Sequence, residues 1–250
     1  MALASPQEVT VQKPQRLRTH ILGFDEAIGG GIPRGFVVLF NGAPGTMKSS
    51  LVFNIAYRNA LEQGERVAYF TLEQNKGMLL AHMASLGMDR PEAFQNLMIL
   101  DMGTVRKNLQ FVQGKARWIE LFKMYVQNFV RTEKCTLLVL DSLDVLESMA
   151  QLDDRRAQLY YLFEWLRELG LTSLIVSERP LPYVNALETP AEAYIADGIV
   201  HLSLHESNDV FVQRRIRCLK MRTTRHDPGY YALLFEDGRF EVTRAVTGSG

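Results

Sequence analysis

A chain of 250 residues is long enough for one large domain with a sizeable core, and 47% hydrophobic against 22% charged residues is a globular balance. Lysine plus arginine and aspartate plus glutamate number 28 each, so no global field draws the molecule to nucleic acid or an anionic membrane. Cys135 and Cys218 stand too far apart for metal spacing or a disulfide framework, which points to a reducing cytoplasm, and no run reads as a signal peptide or transmembrane helix.

Residues 1–18 lack apolar periodicity and read as a flexible arm; Thr247-Gly248-Ser249-Gly250 reads as a frayed tail. Between them, residues 19–246 read as a single domain with no internal repeat. Short apolar runs at 36–40, 66–71, 97–101, 136–141 and 171–177 suit strands buried on both faces. Helical stretches at 48–63, 76–86, 105–131 and 153–169 separate them. This alternation predicts right-handed βαβ units: an α/β fold with a mostly parallel central sheet flanked by helices. After residue 197 the texture changes. Runs at 197–204, 210–221, 230–235 and 240–243 read as strands joined by turns at Asn208-Asp209 and Glu236-Asp237-Gly238, a C-terminal antiparallel extension.

The first strand leads into Gly42-Ala43-Pro44-Gly45-Thr46-Met47-Lys48-Ser49, and Ser49-Ser50-Leu51 opens a helix. Strand, glycine-bearing loop, Lys-Ser and helix is the context of a phosphate loop. There backbone N–H groups, a lysine ammonium and a helix N-terminus receive phosphates, while the serine hydroxyl faces Mg²⁺. The stretch departs from G-x-x-x-x-G-K-[ST] at Met47, where the second glycine belongs. A positive φ at that position costs on the order of 1 kcal/mol; ordinary α geometry costs little.

Three further constellations accompany the loop. Leu137-Leu138-Val139-Leu140-Asp141 is a buried strand ending in a carboxylate, placed to hold Mg²⁺ opposite Ser49. Glu73, after Tyr69-Phe70-Thr71-Leu72, is a candidate base for an attacking water. In the basic run 214–226, Lys220 and Arg222 project from one strand face and Met221 from the other, so the two cations can grip a phosphate. A nucleic-acid patch and a solvated edge are the other readings of that run, and the neutral remainder of the chain argues against nucleic acid. Asp153-Asp154-Arg155-Arg156 reads as surface, and Tyr160, Tyr161, Phe163 and Trp165 as core or interface.

Together these residues resemble the RecA superfamily and, within it, the KaiC-like ATPases, over residues 16–244. The lead-in 22–35, the two nucleotide motifs Gly42–Ser49 and Leu137–Asp141, and the K-x-R element Leu219-Lys220-Met221-Arg222 carry the resemblance. It implies Mg-ATP bound between neighbouring subunits of a ring, commonly a hexamer, with Lys220 and Arg222 reaching the γ-phosphate on the adjacent subunit. An unidentified regulatory protein partner is expected, and, with no apolar run of transmembrane length, no membrane. Where the family commonly pairs two glutamates after the second strand, this chain has Glu73-Gln74. Clock members carry two such domains and an adjacent Ser-Thr phosphorylation pair in the second. The loosely corresponding stretch 192–197 has no such pair, so no clock-type phosphorylation is expected there.

The leading expectation is slow ATP hydrolysis, with Lys48 on the β- and γ-phosphates. A non-hydrolysing, nucleotide-gated scaffold is the alternative, supported by Met47 and Gln74. A recombinase-like DNA-binding protein ranks below both, because residues 178–185 are Pro-bearing and near neutral where a basic or Gly-rich mobile loop is wanted.

Overall fold

The computed structural model describes residues 14–108, 117–150, 152, 154–178, 191–208 and 211–245. Residues 1–13 of the expected arm, the tail 247–250, Asp153, Asp209 of one expected turn and residues 179–185 of the near-neutral segment lie outside the described residues.

The chain enters through three two-residue strands, β1 (Arg16–Leu17), β2 (Ile21–Leu22) and β3 (Ile32–Pro33), with the short helix α1 (Phe24–Ala27) before the last. Within the stretch 1–18 expected as an arm, Arg16–Leu17 is a strand. Arg16 and Leu17 pair antiparallel with Pro33 and Ile32, and the Arg16 guanidinium donates to the Gly31 carbonyl at 2.8 Å.

Then follow β4 (Val37–Gly42), α2 (Lys48–Glu62), β5 (Val67–Thr71), α3 (Lys76–Ser85), β6 (Leu97–Asp101), α4 (Met102–Asn108), α5 (Arg117–Glu133), β7 (Leu137–Asp141), α6 (Leu143–Ala150), α7 (Arg155–Glu168), β8 (Thr172–Ser177) and α8 (Ala191–Ile195). The C-terminal part is β9 (Gly198–Asn208), β10 (Phe211–Met221), β11 (Tyr231–Glu236) and β12 (Arg239–Arg244).

Ten strands form one sheet in the order β2-β12-β11-β10-β9-β4-β8-β7-β5-β6. The six from β9 to β6 are parallel, and β9 through β12 pair antiparallel in succession. The strand starting the expected antiparallel extension thus belongs to both halves: β9 runs parallel to β4 and antiparallel to β10. The two-residue turn Asp237-Gly238 takes positive φ at both residues, 49° and 70°, the backbone a tight hairpin requires.

The apolar runs become strands because both sheet faces are covered. Val38 and Phe40 belong to one core cluster with Val52 and Ile55 of α2; Val37 and Leu39 belong to a second with Leu162 and Leu166 of α7. Each such side chain contributes roughly 1.5–3 kcal/mol on full burial. Asn75 caps α3 by accepting from the Met78 N–H, and Asp154 caps α7 by accepting from Ala157. The helix α6, between β7 and α7, lies where the sequence pattern marks neither strand nor helix.

Candidate nucleotide site

The carboxyl ends of β4, β5, β7 and β8 lie along one edge of the parallel sheet, where open α/β sheets hold their ligands. That edge gathers the loop 42–49, Glu73, Asp141 and Glu178.

Gly42 ends β4 where a Cβ would stand 2.3 Å from the Leu202 carbonyl oxygen of β9, so this glycine allows the two strands to approach. The chain then turns with φ 83° at Gly45 and φ 67°, ψ 27° at Met47. Met47 therefore takes the left-handed geometry, the costlier of the two expected, at roughly 1 kcal/mol. The Thr46 hydroxyl braces the loop by donating to the Ala43 carbonyl at 2.7 Å. No side chain caps α2 at Met47. The first-turn N–H groups have no intrahelical acceptors and, with the dipole, favour an anion.

Lys48 opens α2 with its side chain only 5% exposed. Its ammonium donates to the Ala43 carbonyl at 3.0 Å and to the Glu178 carboxylate at 3.2 Å. One residue on, the Ser49 hydroxyl donates to Asp141 Oδ1 at 3.1 Å. The hydroxyl of buried Tyr69 donates to Asp141 Oδ2 at 2.7 Å. Burial raises the Asp141 pKa to about 6; the Glu73 charge adds to the rise, while the hydrogen bonds from Tyr69 and Ser49 oppose it. Burial likewise holds the Tyr69 phenol well above its usual range.

Glu73 is exposed, and its carboxylate accepts from the buried Ser142 hydroxyl next to Asp141. On the far side of the loop, the exposed Arg214 reaches across from β10 and its Nε donates to the Gly45 carbonyl at 3.4 Å.

Ser49 and Asp141 present two hard oxygen donors side by side. Among the described residues no cluster of three His, Cys, Asp or Glu side chains could hold a metal unaided. That set fits Mg²⁺, which binds through one or two protein oxygens and completes its shell with phosphates and water.

The structure therefore brings together the loop 42–49 with Ser50, Glu73 and Asp141. It does not bring Lys220 and Arg222 to them. Met221 pairs with Gly198, and Gly198 with Val38 near the start of β4, so the K-x-R element lies at the opposite edge of the sheet. Four strand steps separate Val38 from Gly42, roughly 13 Å. There the Lys220 ammonium donates to the carbonyls of Ala193 and Tyr194, each at 3.1 Å. Burial lowers the Lys220 pKa, and the Arg222 charge adds to the effect. Arg222 pairs with Asp197 Oδ1 at 3.0 Å and donates to the Tyr194 carbonyl. Buried Asp197 also accepts from Arg167 at 2.8 Å and from the Val37 N–H at 3.0 Å. As the strand pattern predicted, Met221 turns into the core.

Sequence reasoning did not single out Tyr69, Glu178, Arg214 or Asp197. A polar residue at the carboxyl end of a core strand was the available signal for Glu178, and the alternation of β10 for Arg214. Tyr69 and Asp197 gave none.

A parallel sheet that delivers a phosphate loop and a strand-end aspartate to one edge is the architecture of the RecA superfamily of nucleotide-binding ATPases, and this chain has it. The family model described as the KaiC ATPase matches residues 17–246, and the chain belongs to that family. A relative in Synechocystis sp., named circadian clock protein KaiC2, is 28% identical over 228 residues, covering 90% of this chain but 39% of that protein. A UPF0273 protein of Aeropyrum pernix is 30% identical over 219 residues, covering 84% of this chain and 86% of its own length. Thus the chain spans less than half of that clock relative and most of the archaeal one. A crystal structure of a KaiC-like protein from Pyrococcus horikoshii OT3 superposes with a TM-score of 0.76 at 28% identity, covering 92% of this chain and all of that one. No helix among the described residues is long and apolar enough to cross a membrane.

Proposed function

We propose that the chain binds Mg-ATP at the loop 42–49 and hydrolyses it slowly, as a cytoplasmic, ring-forming ATPase. Residues 19–246 form the ATPase domain in this reading, with Arg16–Leu17 tied to it through β3. The Ser49–Asp141 contact beside the buried Lys48 ammonium carries the reading, because it assembles a phosphate-binding cation and a pair of metal-binding oxygens at one helix N-terminus.

Backbone N–H groups from Ala43 to Ser50 (Pro44, which has none, excepted) surround the phosphates, with Gly42 and Gly45 giving the loop its turns. Lys48 exchanges its Ala43 and Glu178 partners for β- and γ-phosphate oxygens. Ser49 and Asp141 hold Mg²⁺, whose chemistry is to neutralise charge building on the phosphates. Glu73 accepts the proton of the attacking water, and the Ser142 hydroxyl orients its carboxylate. Arg214, lying against the loop in the same chain, adds a cation at the outer side of the nucleotide. Lys220 and Arg222 act on the neighbouring subunit's γ-phosphate, since the sheet separates them from their own loop.

Phosphate release by wild type and Glu73→Gln tests hydrolysis. Loss of a positioned base lowers turnover about 10²–10⁴-fold; equal rates would leave the chain a nucleotide-gated scaffold. The strained Met47 and the unpaired-glutamate sequence Glu73-Gln74 are what that second reading has in its favour. A regulatory protein partner belongs to either reading.

A further inference from the structure

Glu178 is the feature of this edge that phosphate binding does not explain. It directly follows Ser177 at the end of β8, and its N–H donates to Asp144 Oδ2 of α6 at 2.7 Å, so its backbone is fixed by two elements. Its carboxylate stands 3.2 Å from the Lys48 ammonium, the group a phosphate must reach. Any phosphate oxygen drawn to Lys48 comes within a few ångströms of a second negative group, and like charges at that range oppose each other. Glu73 and Asp141 line the same edge. The pocket thus sets three carboxyl groups against the buried Lys48 and the exposed Arg214 at the loop's outer side, an unfavourable balance for a bare polyanion.

We propose that Glu178 is a specificity-determining residue that makes this site select metal-complexed nucleoside triphosphate and reject metal-free nucleotide and free polyphosphate. The inference rests on the loop being the nucleotide site. A bare triphosphate loses the attraction of Lys48 to Glu178 and faces the freed carboxylate. A complexed one carries its own positive charge, and that charge compensates both Glu178 and Asp141. The side chain of Glu178 is 40% exposed, so its replacement leaves the core intact.

Calorimetric titration of ATP in excess Mg²⁺ and in excess chelator, on wild type, Glu178→Gln and Glu178→Ala, tests the assignment by binding alone. Both variants should tighten metal-free ATP about tenfold, and change Mg-ATP affinity by no more than about threefold, so that selectivity collapses. Metal-free affinity unchanged or weakened in both variants overturns the assignment. Wild type that binds Mg-ATP nowhere, while Lys48→Ala behaves identically, overturns the nucleotide reading itself.

Discussion

Met47 holds a backbone that glycine would hold without strain, φ 67° and ψ 27°, at the entry to α2. The half-buried side chain packs against the α2-side core, which offsets part of that cost. Replacement by glycine relieves about 1 kcal/mol of strain, but it removes this packing and widens the unfolded ensemble. Met47→Gly is therefore expected to shift unfolding stability by less than about 1 kcal/mol in either direction. Turnover should behave differently. Without the Cβ the loop amides approach the phosphates more closely, and donors aimed at developing charge act on rate more than on ground-state affinity. Denaturant unfolding and phosphate release measured on the same variant should give near-equal stability, faster turnover and unchanged ATP affinity. A slower variant would show that Met47 aids the chemistry.

At the scale of elements, the junction of β4 and β9 carries a pH signature. His201 of β9 lies opposite Asn41 of β4, with its Nδ1 3.2 Å from the Asn41 side-chain oxygen. Burial lowers its pKa to about 4, with the Arg217 charge adding to the effect. Between pH 6.5 and 4 the unfolded chain binds a proton there that the folded chain does not, so His201 subtracts stability as pH falls through that window. Asp141 has the opposite sign: its pKa near 6 lies above the unfolded value of 3.8, so acidification from 6 to 3.8 favours the fold. Urea unfolding at stepped pH should separate them. The stability of wild type relative to His201→Gln should decline from pH 6.5 to 4, and relative to Asp141→Asn it should climb from pH 6 to 4. Parallel profiles would refute both assignments. These contacts also mark where the sequence stops being readable. The core strands and long helices were legible because apolar runs of the right length encode burial, and the loop 42–49 because its residues are consecutive. Helix α6 is not legible because its eight residues begin just past Ser142, after the end of β7, and carry too short a pattern. The parallel role of β9 was missed because pairing with β4 is a choice of register, invisible in alternation. Tyr69 and Asp197 act through partners 72 and 25 residues away, and only the folded sheet brings those together.

For the molecule as a whole, the proposed function divides one reaction between the two edges of the sheet. The loop edge carries Lys48, Ser49, Glu73 and Asp141; the opposite edge carries Lys220 and Arg222, tethered by Asp197 and the carbonyls of α8. Among the described residues, no contact joins these edges across roughly 13 Å of strand. The proposed head-to-tail ring would join them, because each subunit would then meet its neighbour's loop edge with its own K-x-R edge. Two variants isolate this arrangement. Glu73→Gln keeps the cations and loses the base; Arg222→Ala keeps the base and loses a cation. Each should be nearly inactive alone. Mixed in equal amounts under conditions that allow subunit exchange, about a quarter of interfaces pair an intact Glu73 with an intact Arg222, and phosphate release should recover to about that fraction of wild type. Mass photometry on the same mixture, with and without ATP, should show the rings that carry the recovered activity. A mixture that forms rings yet stays as inactive as its components would place Arg222 in service of its own subunit, and the trans assignment would fall.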